Sequence, residues 1–423
     1  MKQAIRTERL PNGVDIVVEE IPLVRSVSLG LWLRHGSRHE SDSQAGLSHF
    51  IEHLAFKGTD SRGCLEIAEA IDGMGGNLDA FTGREYTGFF AKVLDTHFDD
   101  ALALLAEVVF RPRFDPAEVE LERDVILEEI KMVQDSPDES AHELFVKTFF
   151  DGHPLGRPVL GSARTVASFG ADDIRSYFDS HYRSDRLTLS VAGNVDADEV
   201  LGAAARRLGD IGPGGDGPAE AAPVHVARTE LRQRESMEQV HMLVGINAFR
   251  RTDDRRYALE TLNTYLGGSV SSRLFQRVRE RLGLAYAINS FTSSYRDCGL
   301  LGIYAATGPD RFEKLLDITR KELGSVARGE IDPGHIERVK SFIKADMVLG
   351  LESTASRMAF LAKQMIYFGH VKRLDEVLAE LDAVTVDDVA RVAAEIIGGV
   401  PLTVTAIGNL GDRLPGLGRL VAG

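Results

Sequence analysis

Cysteine is almost missing from this chain: Cys64 and Cys298 are the only two in 423 residues. That is too few for a disulfide framework and too few for a thiolate metal site. No run of eighteen apolar residues occurs, and the N-terminal stretch MKQAIRTERLPNGVDIVVEEI has charges every few residues and no apolar h-region. A cytoplasmic protein with no membrane span is therefore expected. Cations are in the minority, 49 Lys and Arg against 64 Asp and Glu, for a net charge of -15. Such a balance argues against non-specific nucleic-acid binding and could draw basic peptides into an acidic cavity, besides keeping the chain in solution. What is present is ordinary for a globular protein: 43% hydrophobic and 27% charged residues. The length exceeds what one common core accommodates, so two domains or more are expected.

The stretch Gly46 to Thr59, GLSHFIEHLAFKGT, carries the chemistry. Separations of three and four residues place His49, Glu52 and His53 on one helix face. Two imidazoles at i and i+4 can share a metal ion, and a carboxylate just before the second can take a proton from a water bound there. The order is the inverse of HExxH and occurs among metallopeptidase motifs. His35 and His39, in the polar stretch around Gly36 to Ser43, read instead as solvated loop residues.

Along the chain, a hairpin-like pair of apolar runs surrounds Pro11-Asn12-Gly13, and Val27 to Leu33 alternates as a strand. A helix over about Cys64 to Met74 stops at Gly75-Gly76, and Leu78 to Leu94 reads as strands around a turn near Gly83 to Glu85. Phe98 to Phe110 has helical spacing, Asp115-Pro116 starts another helix through VELERDVILEEIKMV, and more helix runs to about Tyr177 before the strand Leu187 to Ala192. Strands alternating with clustered helices predict an α+β fold of antiparallel-rich sheets packed with helices, not a regular parallel series.

A Gly, Pro and Ala-rich stretch, PGGDGPAEAAP, divides the chain almost in half, with residues 1–212 before a linker at 213–224 and residues 225–423 after it. The second half repeats the first. Gln239 to Ala248 parallels Val27 to Leu33, NSFTSSY from Asn289 parallels DAFTGREY from Asp79, Phe312 to Leu323 parallels Phe98 to Phe110, and Asp332-Pro333 parallels Asp115-Pro116. Tyr257 to Gly267 takes the place of the HFIEH helix, with Thr261, Thr264 and Tyr265 where His49, Glu52 and His53 would be. The second copy has no metal motif.

A catalytic zinc site needs a third protein ligand and one open position. Glu122, Glu128 and Glu129 follow on the helix after Asp115; Glu122 and Glu129 share a face, and Glu128 points about 100° away. The spacing selects that pair without saying which member binds metal.

HFIEH followed by this glutamate pair resembles the zinc motif of the pitrilysin family, and the chain is most similar to short bacterial relatives of mitochondrial processing peptidase. The resemblance runs through FKGT at Phe56, Gly75 to Thr87, DSPDE from Asp135, HPLGRPVLG from His153, AGNVD from Ala192 and RERLGLAY from Arg279. It implies His49, His53 and Glu129 as Zn2+ ligands, Glu52 as general base on the zinc-bound water, and Glu122 as the carboxylate orienting a ligand histidine. It also implies a C-terminal domain that supplies Arg279 and Tyr286 to the substrate carbonyl, where a cation and a phenol would stabilise the oxyanion. The strand Asp79, Ala80, Phe81, Thr82 becomes the edge to which an extended peptide adds. Relatives carry Asn-Ala where this chain has Asp79-Ala80, and an ionised aspartate cannot donate; the change leans towards basic peptides. Larger members of the family enclose unfolded peptides between four such domains. With two, this chain is expected to form a dimeric chamber, with an identical chain or a related subunit, in which Arg279 and Tyr286 act in trans. The competing expectation is a non-catalytic structural or peptide-binding subunit of a processing-peptidase-like complex, and the intact HFIEH, Glu129, Arg279 and Tyr286 argue for the enzyme.

Overall fold

A computed structural model describes residues 4–215 and 221–411. Within them the chain forms two compact units, one drawn from residues 4–132, 157–215 and 349–371, the other from residues 133–156, 221–348 and 372–411. Both are α+β.

The first unit is built on a six-stranded sheet. Its strands are β1 (Ala4–Arg9), β2 (Asp15–Glu20), β3 (Ser26–Leu33), β4 (Asn77–Thr82), β5 (Thr87–Leu94) and β6 (Leu187–Gly193), in the order β1-β2-β6-β3-β5-β4. All neighbours are antiparallel except β2 and β6. Side chains alternate across a pleated strand, and β3 shows how the sequence uses this. Val27, Leu29, Leu31 and Leu33 enter a core with Phe50, Leu102, Leu105, Ile126 and Val200 from helices on one face. Ser28, Gly30 and Trp32 face the other way, onto the helix Thr354–Phe368. There the Ser28 and Thr354 hydroxyls lie 2.9 Å apart, the Trp32 indole N–H donates to Met358 Sδ at 3.3 Å, and Glu19 pairs with Arg357 at 2.6 Å.

The second unit repeats this with five strands: β7 (Thr229–Gln233), β8 (Val240–Ala248), β9 (Ala285–Ser294), β10 (Gly299–Thr307) and β11 (Thr403–Gly408), in the order β7-β11-β8-β10-β9. The match is strand for strand: β7 beside β11 is the parallel pair, and β8 is flanked by antiparallel β11 and β10. Val240, Met242, Val244 and Ile246 fill its main core. Leu243 and Gly245 face the helix Pro137–Phe149, where a Cβ on Gly245 would lie 2.5 Å from the Phe145 ring. Glycine is needed there for the helix to lie close to the sheet.

The units therefore differ from a division into residues 1–212 and 225–423 in two helices. Pro137–Phe149 packs with the sheet of the second half of the sequence, and Thr354–Phe368 with the sheet of the first. Each is the helix after the matching long helix of its own copy, so the exchange is reciprocal. The physical reason is that periodicity reports that Leu144, Phe145 and Phe149 must be buried, and not which sheet buries them. Part of the expected linker, residues 216–220, lies outside the described residues. Among the described residues no helix is long and apolar enough to cross a membrane.

Candidate metal centre

The HFIEH segment forms the helix Leu47–Ala55. Gly46 precedes it at φ 104, a left-handed conformation, and a Cβ there would sit 2.8 Å from the Leu160 carbonyl oxygen. In place of a side-chain cap of its own, the helix start uses the buried Glu40, whose carboxylate accepts from the Gly46 and Ser48 amides at 2.9 and 2.8 Å. A negative group at a helix N-terminus meets unsatisfied N–H groups and the positive end of the dipole. One face of the helix, Phe50, Ile51 and Leu54, enters the core. His49, Glu52 and His53 are left along the opposite margin.

The long helix Pro116–Asp135 supplies the rest. Val119, Ile126 and Ile130 anchor it in the core, which brings Glu122 and Glu129 to the histidines. Glu122 Oε2 accepts from His53 Nδ1 at 3.0 Å, so the Nε2 lone pair of His53 is free to face a metal. Glu129 Oε2 lies 3.7 Å from His49 Nε2 and 3.6 Å from His53 Nε2. Tetrahedral zinc bonds of about 2.0–2.2 Å separate ligand atoms by about 3.3–3.5 Å; both Glu129–histidine separations are within tenths of an ångström of that, and all three donors lie within 4.8 Å of one another. Their chemistry fits too. Glu129 Oε2 is a buried carboxylate oxygen with no hydrogen-bond donor among the described residues, an arrangement that a cation between the two imidazoles would satisfy. Burial, reinforced by His53, pulls the His49 imidazole down to about 4, which keeps it neutral and able to ligate. Glu128, which spacing points away from this pair, makes an exposed pair with Lys131 at 2.6 Å.

Glu52 stands beside these donors without being one of them. Burial pushes its carboxyl above the ordinary carboxylate range, the Thr82 hydroxyl and His53 hold it down, and the charges of Glu129 and Asp79 push it up again. The balance moves the group towards what a base working near neutrality requires.

The strand Asp79 to Thr82 is in β4, at the edge of its sheet with β5 as sole neighbour. Its four residues divide. Ala80 packs with the main core and Thr82 faces the metal helix, its hydroxyl donating to Glu52 Oε2 at 2.5 Å. Phe81 packs at 5.3 Å from Trp32 on the other face. The exposed Asp79 carboxylate accepts from the Ala80 amide at 2.8 Å, so this edge amide already has a partner.

Arg279 and Tyr286 are in the second unit, the first in the π-helical turn Phe275–Arg281 and the second in β9. The guanidinium of Arg279 lies 4.4 Å over the Tyr286 ring, and Tyr286 is 77% exposed. Thr261, Thr264 and Tyr265 are buried in the helix Arg256–Leu266, which presents no metal donor at these positions.

Two residues escaped the sequence reading. Lys57 lies just past the end of the metal helix, and its ammonium meets Glu122 Oε1 at 2.5 Å. Its position four residues after His53 was the available signal. Glu40 is the other, a charge in a stretch that reads as open loop. That reading is corrected by the structure: His35 and Glu40 are buried, His35 stacks on His181 at 4.1 Å, and its Nε2 lies 2.7 Å from the Tyr177 hydroxyl, itself 3.0 Å from Ser48 on the metal helix. The loop folds under the metal helix because Glu40 must reach that helix's N-terminus.

Comparison with known proteins places this geometry in a family. The family description "Insulinase (Peptidase family M16)" matches residues 15–163, and "Peptidase M16 inactive domain" matches residues 168–342. The chain belongs to the M16, or insulinase and pitrilysin, family of zinc metallopeptidases. An uncharacterized zinc protease of Streptomyces coelicolor is 39% identical over 416 residues, covering 97% of this chain and 90% of that one. One of Bacillus subtilis is 41% identical over 385 residues, 91% of this chain and 94% of that one. Among solved structures, a protease from Helicobacter pylori superposes with a TM-score of 0.89 at 22% identity, covering 96% of this chain and 99% of that one. That likeness concerns the fold.

Two outcomes are expected. Replacing Lys57 by Met leaves the Glu122 carboxylate buried without its cation and His53 less firmly oriented; zinc affinity should fall about 10–100-fold in competitive chelator titrations. Burial also pushes the Glu40 carboxyl from 4.5 up to about 7, against the two amides that favour its charged form. A carboxyl raised on folding contributes stability that is complete below its unfolded value and lost as pH rises through the folded one. Glu40→Gln should therefore flatten the fall in stability between about pH 4.5 and 7, by up to about 3 kcal/mol, read from urea midpoints across that range.

Proposed function

We propose that this protein is a zinc-dependent endopeptidase that hydrolyses unfolded peptides held extended along β4, with Glu52 as general base. The observation that carries the reading is the convergence of His49, His53 and Glu129 on one point beside Glu52. Bound there, zinc supplies a Lewis acid that polarises the scissile carbonyl. Glu52 takes the proton of the attacking water and hands it to the leaving amine. Thr82 fixes the Glu52 carboxylate, and Glu122, held by Lys57, fixes His53.

Substrate enters as an added strand on β4, so main-chain hydrogen bonds give affinity with little sequence preference. Asp79 adds a negative charge at that edge and favours basic peptides. Arg279 and Tyr286, an exposed cation and phenol in contact with each other, serve the oxyanion of the site in a second copy of the chain, within a chamber made by the dimer. Two free cysteines, one of them the exposed Cys64, suit a reducing cytoplasm.

Chelation should abolish cleavage of a quenched peptide and zinc should restore it. Glu52→Gln should keep the metal and lose about 10²–10⁴-fold in kcat; chelator-insensitive cleavage, or full activity in that variant, would sink the reading. The trans arrangement is checked separately. Mixing Arg279→Ala protein with Glu52→Gln protein, each inactive alone, should regenerate one working site per mixed dimer, and no recovery on mixing counts against it.

A further inference from the structure

On the metal-binding helix Pro116–Asp135 the side chains that meet solvent are not all polar. Leu121, Val125 and Met132 are 61%, 49% and 70% exposed. At 100° per residue these three fall on one stripe. Taking the core direction as that of Val119, Ile126 and Ile130, the helix turns through Glu122 and Glu129 and then, about 40–60° beyond Glu129, reaches Val125 and Met132. Val125 is four residues before Glu129 and Met132 three after it, so the two are its neighbours along the helix surface, one turn to either side. The metal ligand stands between the core and an exposed apolar strip.

We propose that Val125 and Met132, continued by Leu121, form the subsite that receives an apolar side chain of the bound peptide beside the scissile bond. This rests on the peptidase reading above and adds a side-chain preference to it.

Three considerations select this occupant. The strip is continuous with the candidate metal centre, since Val125 also lies three residues from Glu122. It is an anomaly in its own helix, which carries seven acidic side chains against Arg123 and Lys131 and which a solvent face alone would not interrupt with three large apolar residues. The same pair recurs in the second copy of the fold. Aligned through Asp115-Pro116 and Asp332-Pro333, Val125 corresponds to Phe342 and Met132 to Leu349, which are 49% and 63% exposed. At the positions of Glu122 and Glu129 the second copy has Val339 and Asp346. The second copy has Asp346 but no histidine pair for it to join and no counterpart of Glu122, while the exposed apolar pair was kept, so the pair answers to something other than the ion. The same helix of a second copy is a poor occupant of the strip. A two-fold contact would set this acidic helix against itself, and three side chains are far short of the roughly 800 Å² per partner of a stable interface.

The test uses the full-length zinc-loaded protein and a set of quenched peptides that differ only beside the cleaved bond, with cut sites mapped by mass spectrometry. The double variant Val125→Thr, Met132→Gln keeps size and polarises the strip. Its kcat/KM for bonds flanked by Leu or Phe should fall about tenfold or more, with zinc content and cleavage beside Ser or Gln unchanged. Equal losses for every peptide, or an unaltered profile, overturns the proposal; an unaltered profile with a changed sedimentation coefficient assigns the strip to subunit contact instead. Binding of the same peptides to Glu52→Gln protein, followed by anisotropy, separates this proposal from the peptidase reading. If the wild type cleaves nothing but Glu52→Gln protein prefers Leu and Phe peptides, and the added substitutions remove that preference, the subsite stands and the hydrolytic reading falls. No preference in either assay overturns the subsite.

Discussion

The hydrogen bond between His53 and Glu122 joins two helices that are far apart in the chain, and the candidate site depends on it. A carboxylate buried beside an imidazole is costly unless its charge is met. Here Lys57 meets it on one oxygen and His53 on the other. The bond settles which nitrogen of His53 carries its proton, and thereby which one faces Glu129. It also sets the azimuth of the Pro116–Asp135 helix, because turning that helix enough to break the bond would also withdraw Ile126 and Ile130 from the core. Metal geometry and core packing are one constraint.

The duplicated sheet shows what becomes of the same scaffold without that constraint. Strand order, parallel pair and edge are kept, while the positions of His49, His53, Glu122 and Glu129 hold Thr261, Tyr265, Val339 and Asp346. Three of these, Thr261, Tyr265 and Val339, are buried, so they complete a core where the first copy opens a candidate site. The exchange of helices between the two halves of the sequence follows from the same repetition. Each half has a helix with a large apolar face, and each sheet has a face made receptive by a small residue, Gly30 or Gly245.

Edge strand β4 runs past the Glu52 side of the candidate site. Alternation sends Phe81 to the aromatic cluster with Trp32 and Tyr86, while Thr82 reaches Glu52. An added peptide strand would thus lie against residues whose own positions are fixed from both faces of the sheet. Asp79 adds a carboxylate that accepts from the Ala80 amide of that edge.

Much of this was legible in the residues. Spacing alone put His49, Glu52 and His53 on one face and selected Glu122 with Glu129, because helical period is a local property; the Gly and Pro-rich divide and the repeat of strand and helix patterns were equally local. Choosing Glu129 over Glu122 as the metal-facing carboxylate needed the azimuth of one helix against another, which the core decides. Burial of the His35 to Glu40 loop needed the unsatisfied N-terminus of the Leu47–Ala55 helix to be in place above it. The partners of Pro137–Phe149 and Thr354–Phe368 could not be read at all, since an amphipathic pattern states that a face is buried and is silent about which sheet covers it. The sequence by itself determined the candidate donors, the carboxylate of Glu52 beside them and the two-copy fold; tertiary structure decided which side chain faces which, because that depends on packing between residues tens to hundreds of positions apart.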